Sequence, residues 1–78
     1  MAQLRLFAAI REVAGTKLVE VDASTVGEVV DAAVQRFGPD FAAQVQTCRI
    51  WLNGEPAELA DPVAAGDEVA LLPPVSGG

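Results

Sequence analysis

Glu68-Val69-Ala70-Leu71-Leu72-Pro73 decides the fold. The end of this run is apolar on both faces, which is the pattern of a strand buried inside a sheet rather than one at its edge. Ala65-Gly66-Asp67 reads as the turn that delivers the chain into it, and Pro73-Pro74 follows as a rigid step. A central strand so late in the chain must find neighbours among much earlier segments.

Working back, Gln3 to Leu6 alternates polar and apolar, with Leu4 and Leu6 on one side. Lys17 to Val21 reads as a second strand on which Val19 and Val21 share a face. The short link between these two predicts an antiparallel pair. Within that link, Ala8 to Ala14 is compatible with a short helical turn that Gly15 closes. Ile50 to Leu52 is a third strand, and Asn53-Gly54 is the preferred pair for a type I′ turn. Pro56 restricts the returning segment to an edge or a very short piece, and Asp61-Pro62 begins a further turn.

One segment has the helical period. Val26, Val29, Val30, Ala33, Val34 and Phe37 lie along one face, with Asp31, Gln35 and Arg36 largely off it. Thr25 and Glu28 make a capping box in which each side chain satisfies the other's backbone N–H. Gly38 suits the C′ position, and Pro39 is expected to block continuation. Gly27 in the first turn costs helix propensity, for no reason visible in the sequence. The predicted order is β-β-α-β-β-β, an α+β domain with one main helix packed across one face of a mixed sheet. This is a β-grasp arrangement, spanning residues 1–72, with residues 73–78 as an extended tail.

Composition narrows the function. The chain has 78 residues, one cysteine and no histidine. That is room for one core. The lone Cys48 excludes an internal disulfide, fits a reducing compartment, and precedes the apolar run Ile50-Trp51-Leu52, so a buried, inert thiol is expected. Without histidine the chain lacks the usual proton shuttle and the commonest metal ligand, and no spaced Asp/Glu loop appears. No resident metal or cofactor is expected. A net charge of −6 with basic residues spread singly disfavours nucleic acid and anionic membranes, and favours attraction to a basic pocket on a protein partner. No apolar run approaches membrane-spanning length and no signal peptide is evident, so a cytoplasmic location is expected.

The stretch after the last strand, Pro73-Pro74-Val75-Ser76-Gly77-Gly78, ends in two glycines. Bare glycines can enter a slot too narrow for a Cβ. Together with Leu6-Phe7-Ala8, Arg11-Glu12-Val13-Ala14-Gly15, Thr25-Val26-Gly27-Glu28, Leu52-Asn53-Gly54-Glu55, Asp61-Pro62 and Gly66-Asp67-Glu68-Val69, this ending resembles the small subunit of molybdopterin synthase, the ubiquitin-like sulfur carriers of the MoaD family. One departure is Leu at both 71 and 72, where relatives can carry Phe; it bears on partner affinity rather than on chemistry.

The resemblance implies that an adenylating enzyme, of the kind that activates ubiquitin, joins the Gly78 carboxylate to AMP from ATP. A sulfur donor (a sulfurtransferase) then displaces AMP, leaving a thiocarboxylate. In the pocket of the large synthase subunit that sulfur would attack a cyclic pyranopterin, building the dithiolene that later holds molybdenum. On this reading the chain is a sulfur-donating subunit with no active site of its own. Gly78 carries the reacting group. Gly77 lets the tail enter a narrow channel, Ser76 is a further tail-binding residue, Val75 and Leu72 anchor in apolar pockets, and Pro73 and Pro74 hold the tail extended. Phe7 belongs either to the docking face or to the core. Arg11 belongs to that face or is a solvated charge. Rival readings are a sulfur carrier for thiamine thiazole or cysteine synthesis, a ubiquitin-like modifier joined to target lysines, and a plain interaction domain.

Overall fold

The computed structural model describes residues 1–73. Five strands form one sheet: β1 (Ala2–Leu6), β2 (Leu18–Val21), β3 (Arg49–Leu52), β4 (Glu55–Pro56) and β5 (Glu68–Leu72). Their order is β2-β1-β5-β3-β4. β5 is the middle strand, parallel to β1 and antiparallel to β3. β1 and β2 are antiparallel, as expected from their short link. That link holds a full helix, α1 (Ala8–Ala14), closed by Gly15 in the left-handed region at φ 77°. The mixed sheet with a helical layer on one face is the β-grasp arrangement.

Strand alternation divides the sheet cleanly. Leu4, Leu6, Val69 and Leu71 point to the covered face and are essentially inaccessible, joined there by Ala2, Val19 and Val21. The long helix α2 (Val26–Phe37) lays Val26, Val29, Val30 and Ala33 onto them, and Ile10 of α1 closes one end. Val34 and Phe37, on the same stripe, are half-buried at its margin.

The helix start departs in detail from the reciprocal capping box. Thr25 Oγ1 accepts from the Glu28 N–H at 3.1 Å, but the Glu28 carboxylate accepts from the N–H of Ser24 at 2.9 Å, not from that of Thr25. The helix end brings a larger correction. Pro39 stops α2 yet starts a third helix, α3 (Pro39–Val45), in which it occupies the first turn. Proline is preorganised there because the N–H it lacks has no helical partner in any case. Gly38, at φ 93°, turns the chain between the two helices. Phe41 of α3 enters the core completely, its ring 5.1 Å from that of Phe37. The order is therefore β-α-β-α-α-β-β-β, with α2 the longest of three helices among the described residues.

The remaining turns follow their chemistry. Asn53 and Gly54 have φ of 51° and 85°, both positive as a type I′ turn requires. β4 stops at Pro56 on the sheet edge. Gly27 acquires a reason: its N–H donates to the Leu59 carbonyl at 2.8 Å, and a Cβ there would lie 3.1 Å from that oxygen.

Candidate functional site

The site is assembled at the end of the sheet where β5 runs out toward Pro73. β1 and β5 are parallel, so the ends of both strands lie side by side, with Leu6 opposite Leu71. Phe7 continues β1 in an extended conformation (φ −132°, ψ 155°), so its side chain alternates away from Leu6 onto the uncovered face. It is half-buried and stands outside the core cluster. Leu72, one residue past Leu71, alternates to the same face, and its register partner on β3 is Arg49.

A row across the middle of this face follows from the register: Leu18 on β2, Arg5 on β1, Ala70 on β5, Trp51 on β3 and Pro56 on β4. Among the described residues no helix covers them. Leu18 is 37% exposed, and Arg5, Ala70 and Trp51 are half-buried. Arg5 Nε donates to Glu68 Oε2 at 3.1 Å; both side chains are 39% exposed, so the pair contributes at most about 1 kcal/mol. The result is a shallow surface in which Leu18, Ala70 and Trp51 flank the Arg5–Glu68 pair, with Phe7 and Leu72 at the end next to Pro73. Trp51, Ala70, Leu18 and Arg49 were not singled out from the sequence as part of it. Their signal is the alternation of Arg49 and Trp51 against Ile50 and Leu52, which becomes informative only once the register is known.

Arg11 lies elsewhere. It is exposed on α1, at the same end of the molecule but not on the sheet face, and lines an open depression of about 370 Å³ with Glu12, Gly15, Thr16 and Lys17. Arg11, Lys17 and Arg49 thus mark the tail end. Asp22, Glu28, Asp61 and Asp67 gather at the opposite end, around the start of α2 and the turn into β5.

Cys48 is half-buried beside the core, and burial pushes its thiol above the ordinary range, away from the reactive thiolate. Asp67 is shifted the other way. Its carboxylate accepts from the Ala64 N–H at 2.8 Å and from the Asn53 side chain, and both hold it below the usual carboxylate value. Asn53 in turn accepts from the Glu68 N–H at 2.9 Å, fixing where β5 begins. Among the described residues, no helix is long and apolar enough to cross a membrane. Pro73 is half-buried at the end of the described chain. Pro74, Val75, Ser76, Gly77 and Gly78, named above as tail residues, lie outside the described residues.

Comparison with known proteins now bears on this site. The small archaeal modifier protein 1 of Haloferax volcanii is 44% identical over 95% of this chain and 97% of its own length. Its crystal structure superposes with a TM-score of 0.86 over 99% of this chain and 98% of that one. Subunit 1 of the molybdopterin-converting factor of Helicobacter pylori, solved in complex with subunit 2, gives a TM-score of 0.74 at 28% identity over 99% of this chain and 97% of that one. The CysO partner in the Amycolatopsis orientalis BexX/CysO complex gives 0.84 at 26% identity over the full length of both. The ThiS family model matches residues 4–78, and this chain belongs to that family of ubiquitin-like sulfur carriers.

Proposed function

We propose that this chain is a sulfur carrier whose Gly78 carboxylate is adenylated and then converted to a thiocarboxylate, and that its acceptor is the large subunit of molybdopterin synthase. The observation that carries the reading is the uncovered apolar face of Phe7, Leu72, Ala70 and Trp51, continuous with the strand that leads into the Gly-Gly tail. A docking face on the strand that bears the tail lets one binding event place both. The fold match to a molybdopterin-converting subunit held in complex with its partner supports the choice of acceptor.

The chemistry needs little from the carrier. A carboxylate is a poor electrophile; transfer of AMP from ATP makes a mixed anhydride, with pyrophosphate leaving. A sulfur donor then forms the C–S bond as the C–O bond to AMP breaks. This is covalent catalysis divided between proteins, with the carrier holding the activated group. General acids, general bases and substrate contacts come from the activating enzyme and the acceptor. Residues 73–78 act as the extended tail: Gly77 passes a channel too narrow for a Cβ, so Gly77→Val is expected to block charging, and a normal yield of thiocarboxylate from that variant would refute the role.

A second reading, a modifier joined to lysines of target proteins, is favoured by the 44% identity to a small archaeal modifier protein. Both readings share the adenylation step and part at the acceptor. The test is capture of partners from source lysate on an N-terminally tagged chain, against a control lacking Gly77 and Gly78. Recovery of the large synthase subunit supports the pterin reading. Recovery of thiazole synthase, or a ladder of lysine conjugates, replaces it.

A further inference from the structure

The two edges of the sheet, β2 and β4, are unlike each other. β4 is two residues long and ends in Pro56, so its edge offers little to a further strand. β2 is four residues long, contains no proline, and has Leu18 exposed on it. The direction of its backbone groups follows from the ladder. The Leu6 N–H donates to the Lys17 carbonyl at 2.9 Å, so Lys17 aims its backbone at β1. Antiparallel pairs alternate; Val19 and Val21 therefore do the same, while Leu18 and Glu20 aim theirs outward. Helix α2 leaves this side open. A groove of about 240 Å³ runs beside it, lined by Glu20 and Asp22 on the strand and by Ala32 and Arg36 on the helix.

An outward N–H and C=O on a sheet edge form a template for another strand. At Leu18 that template is filled from within the chain. The Thr16 hydroxyl donates to the Leu18 carbonyl at 3.1 Å and accepts from the Leu18 N–H at 3.4 Å. At Glu20 no side chain among the described residues does the same. From this geometry we infer that β2 is a pairing edge for a second copy of this chain, and that the Thr16 hydroxyl holds it closed. The pairing is antiparallel about a two-fold axis, and alternation limits its register. Facing residues must share a sheet face, and those that exchange hydrogen bonds must both aim outward. Glu20 facing Glu20 is excluded by like charge. Leu18 facing Leu18 sets Val21 against the turn at Gly15. With Val19 facing Val19, Leu18 of each copy faces Glu20 of the other and exchanges both N–H···O bonds with it. This register uses the whole strand. It also sets the Lys17 end of one edge beside the Asp22 end of the other, so opposite charges meet. A second copy is the occupant because the edge is basic at one end and acidic at the other, and reversing its direction makes it complementary to itself. Nothing in the pairing draws on the C-terminal tail.

The test compares the full wild-type chain with Thr16→Val, Thr16→Ser, and Thr16→Val combined with Glu20→Pro. Sedimentation is followed over a range of concentrations in about 0.15 M salt, which screens the charge of −6 on each copy. Thr16→Val keeps the shape of the side chain and removes the hydroxyl; Thr16→Ser keeps the hydroxyl. Glu20→Pro removes an outward N–H and spares the ladder to β1. Thermal melts establish that each chain is folded. Both copies surrender a Thr16 contact on pairing, so Thr16→Val is expected to dimerise about tenfold more tightly than wild type. Thr16→Ser should behave as wild type, and Glu20→Pro should abolish the gain. Amide exchange gives a readout that does not depend on the proline variant: the Leu18 and Glu20 N–H groups of Thr16→Val become protected as concentration rises. Equal association of wild type and Thr16→Val, association of Thr16→Val without protection at Glu20, or association that survives Glu20→Pro would each overturn the proposal.

Discussion

Replacing Gly27 by Val gives opposite signs according to whether local propensity or tertiary contact governs the start of α2. Propensity alone predicts a gain, since Val is a better helix residue than Gly by about 0.4 kcal/mol. The packing predicts a loss. An added Cβ lies 3.1 Å from the Leu59 carbonyl oxygen and 3.4 Å from the Leu59 Cβ, before the two further methyl groups of Val are placed. The loop cannot simply retreat. Gly27 donates to Leu59 at 2.8 Å, Val26 to Asp61 at 2.9 Å, and Val63 to Ser24 at 2.9 Å, while Asp61 Oδ2 accepts from the Glu58 N–H at 2.8 Å. Opening the gap lengthens the first two of these bonds, each worth about 1 kcal/mol net. The expected result is a destabilisation of about 2 kcal/mol, in a domain of this size stable by roughly 4–12 kcal/mol. Urea unfolding followed by Trp51 fluorescence should show the midpoint lowered by about 1–2 M with an unchanged slope. A midpoint equal to or above that of wild type would refute the contact argument and leave Gly27 without a structural role.

Further predictions concern the core, pH and the open face. Phe41→Ala removes a completely buried ring and its contact with Phe37, and should cost about 3–5 kcal/mol, lowering the melting temperature by about 12 °C or more; a shift under a few degrees would mean that α3 is not part of the cooperative core. The Asp67 carboxyl is held below its ordinary 3.8 by the Ala64 N–H and the Asn53 side chain, so its stabilisation is present above that value and is lost as pH falls through the lower folded value. Wild type should therefore exceed Asp67→Ala in stability at pH 7, with the difference shrinking in strong acid; a pH-independent difference would point to something other than the ionised carboxylate. Trp51→Asp places a charge on the uncovered face without touching the core cluster. It should leave the melting temperature within a few degrees yet cut partner capture about tenfold or more, because hot spots at interfaces centre on such aromatics. Undiminished capture would move the docking surface elsewhere.

Much of this fold is legible in residue spacing because burial is periodic. Leu4 and Leu6, Val19 and Val21, and the stripe from Val26 to Ala33 are all buried as their periods demand, and the apolar end of β5 lies in the middle of the sheet. What was missed shares a different cause. Pro39 ends one helix and begins another, and a single sequence carries the stop signal far more strongly than the start. Gly27 answers to Leu59, a residue distant along the chain, and no local rule contains that distance. The candidate docking surface is a property of register: Trp51 is unremarkable within Arg49–Leu52 until Ala70 and Arg5 are set beside it. The tail is a third case. Its role was read from a motif, and neither periodicity nor packing speaks to it.

The parallel pairing of β1 with β5 has a consequence for how the protein comes into being. Gln3 finds its partner in Glu68 and Leu6 in Leu71, so the sheet cannot close until the residues of β5 have left the ribosome. Closure is correspondingly slow, since contacts so distant along the chain must form across the longest available loop. Before β5 inserts, β3 and β4 have no link to β1 and β2 within the sheet, and the surface that Phe7 and Leu72 share does not exist. The strand that finishes the sheet is also the one that leads into the tail. A partner that grips that surface therefore engages only molecules in which β5 has already been inserted and the sheet is closed.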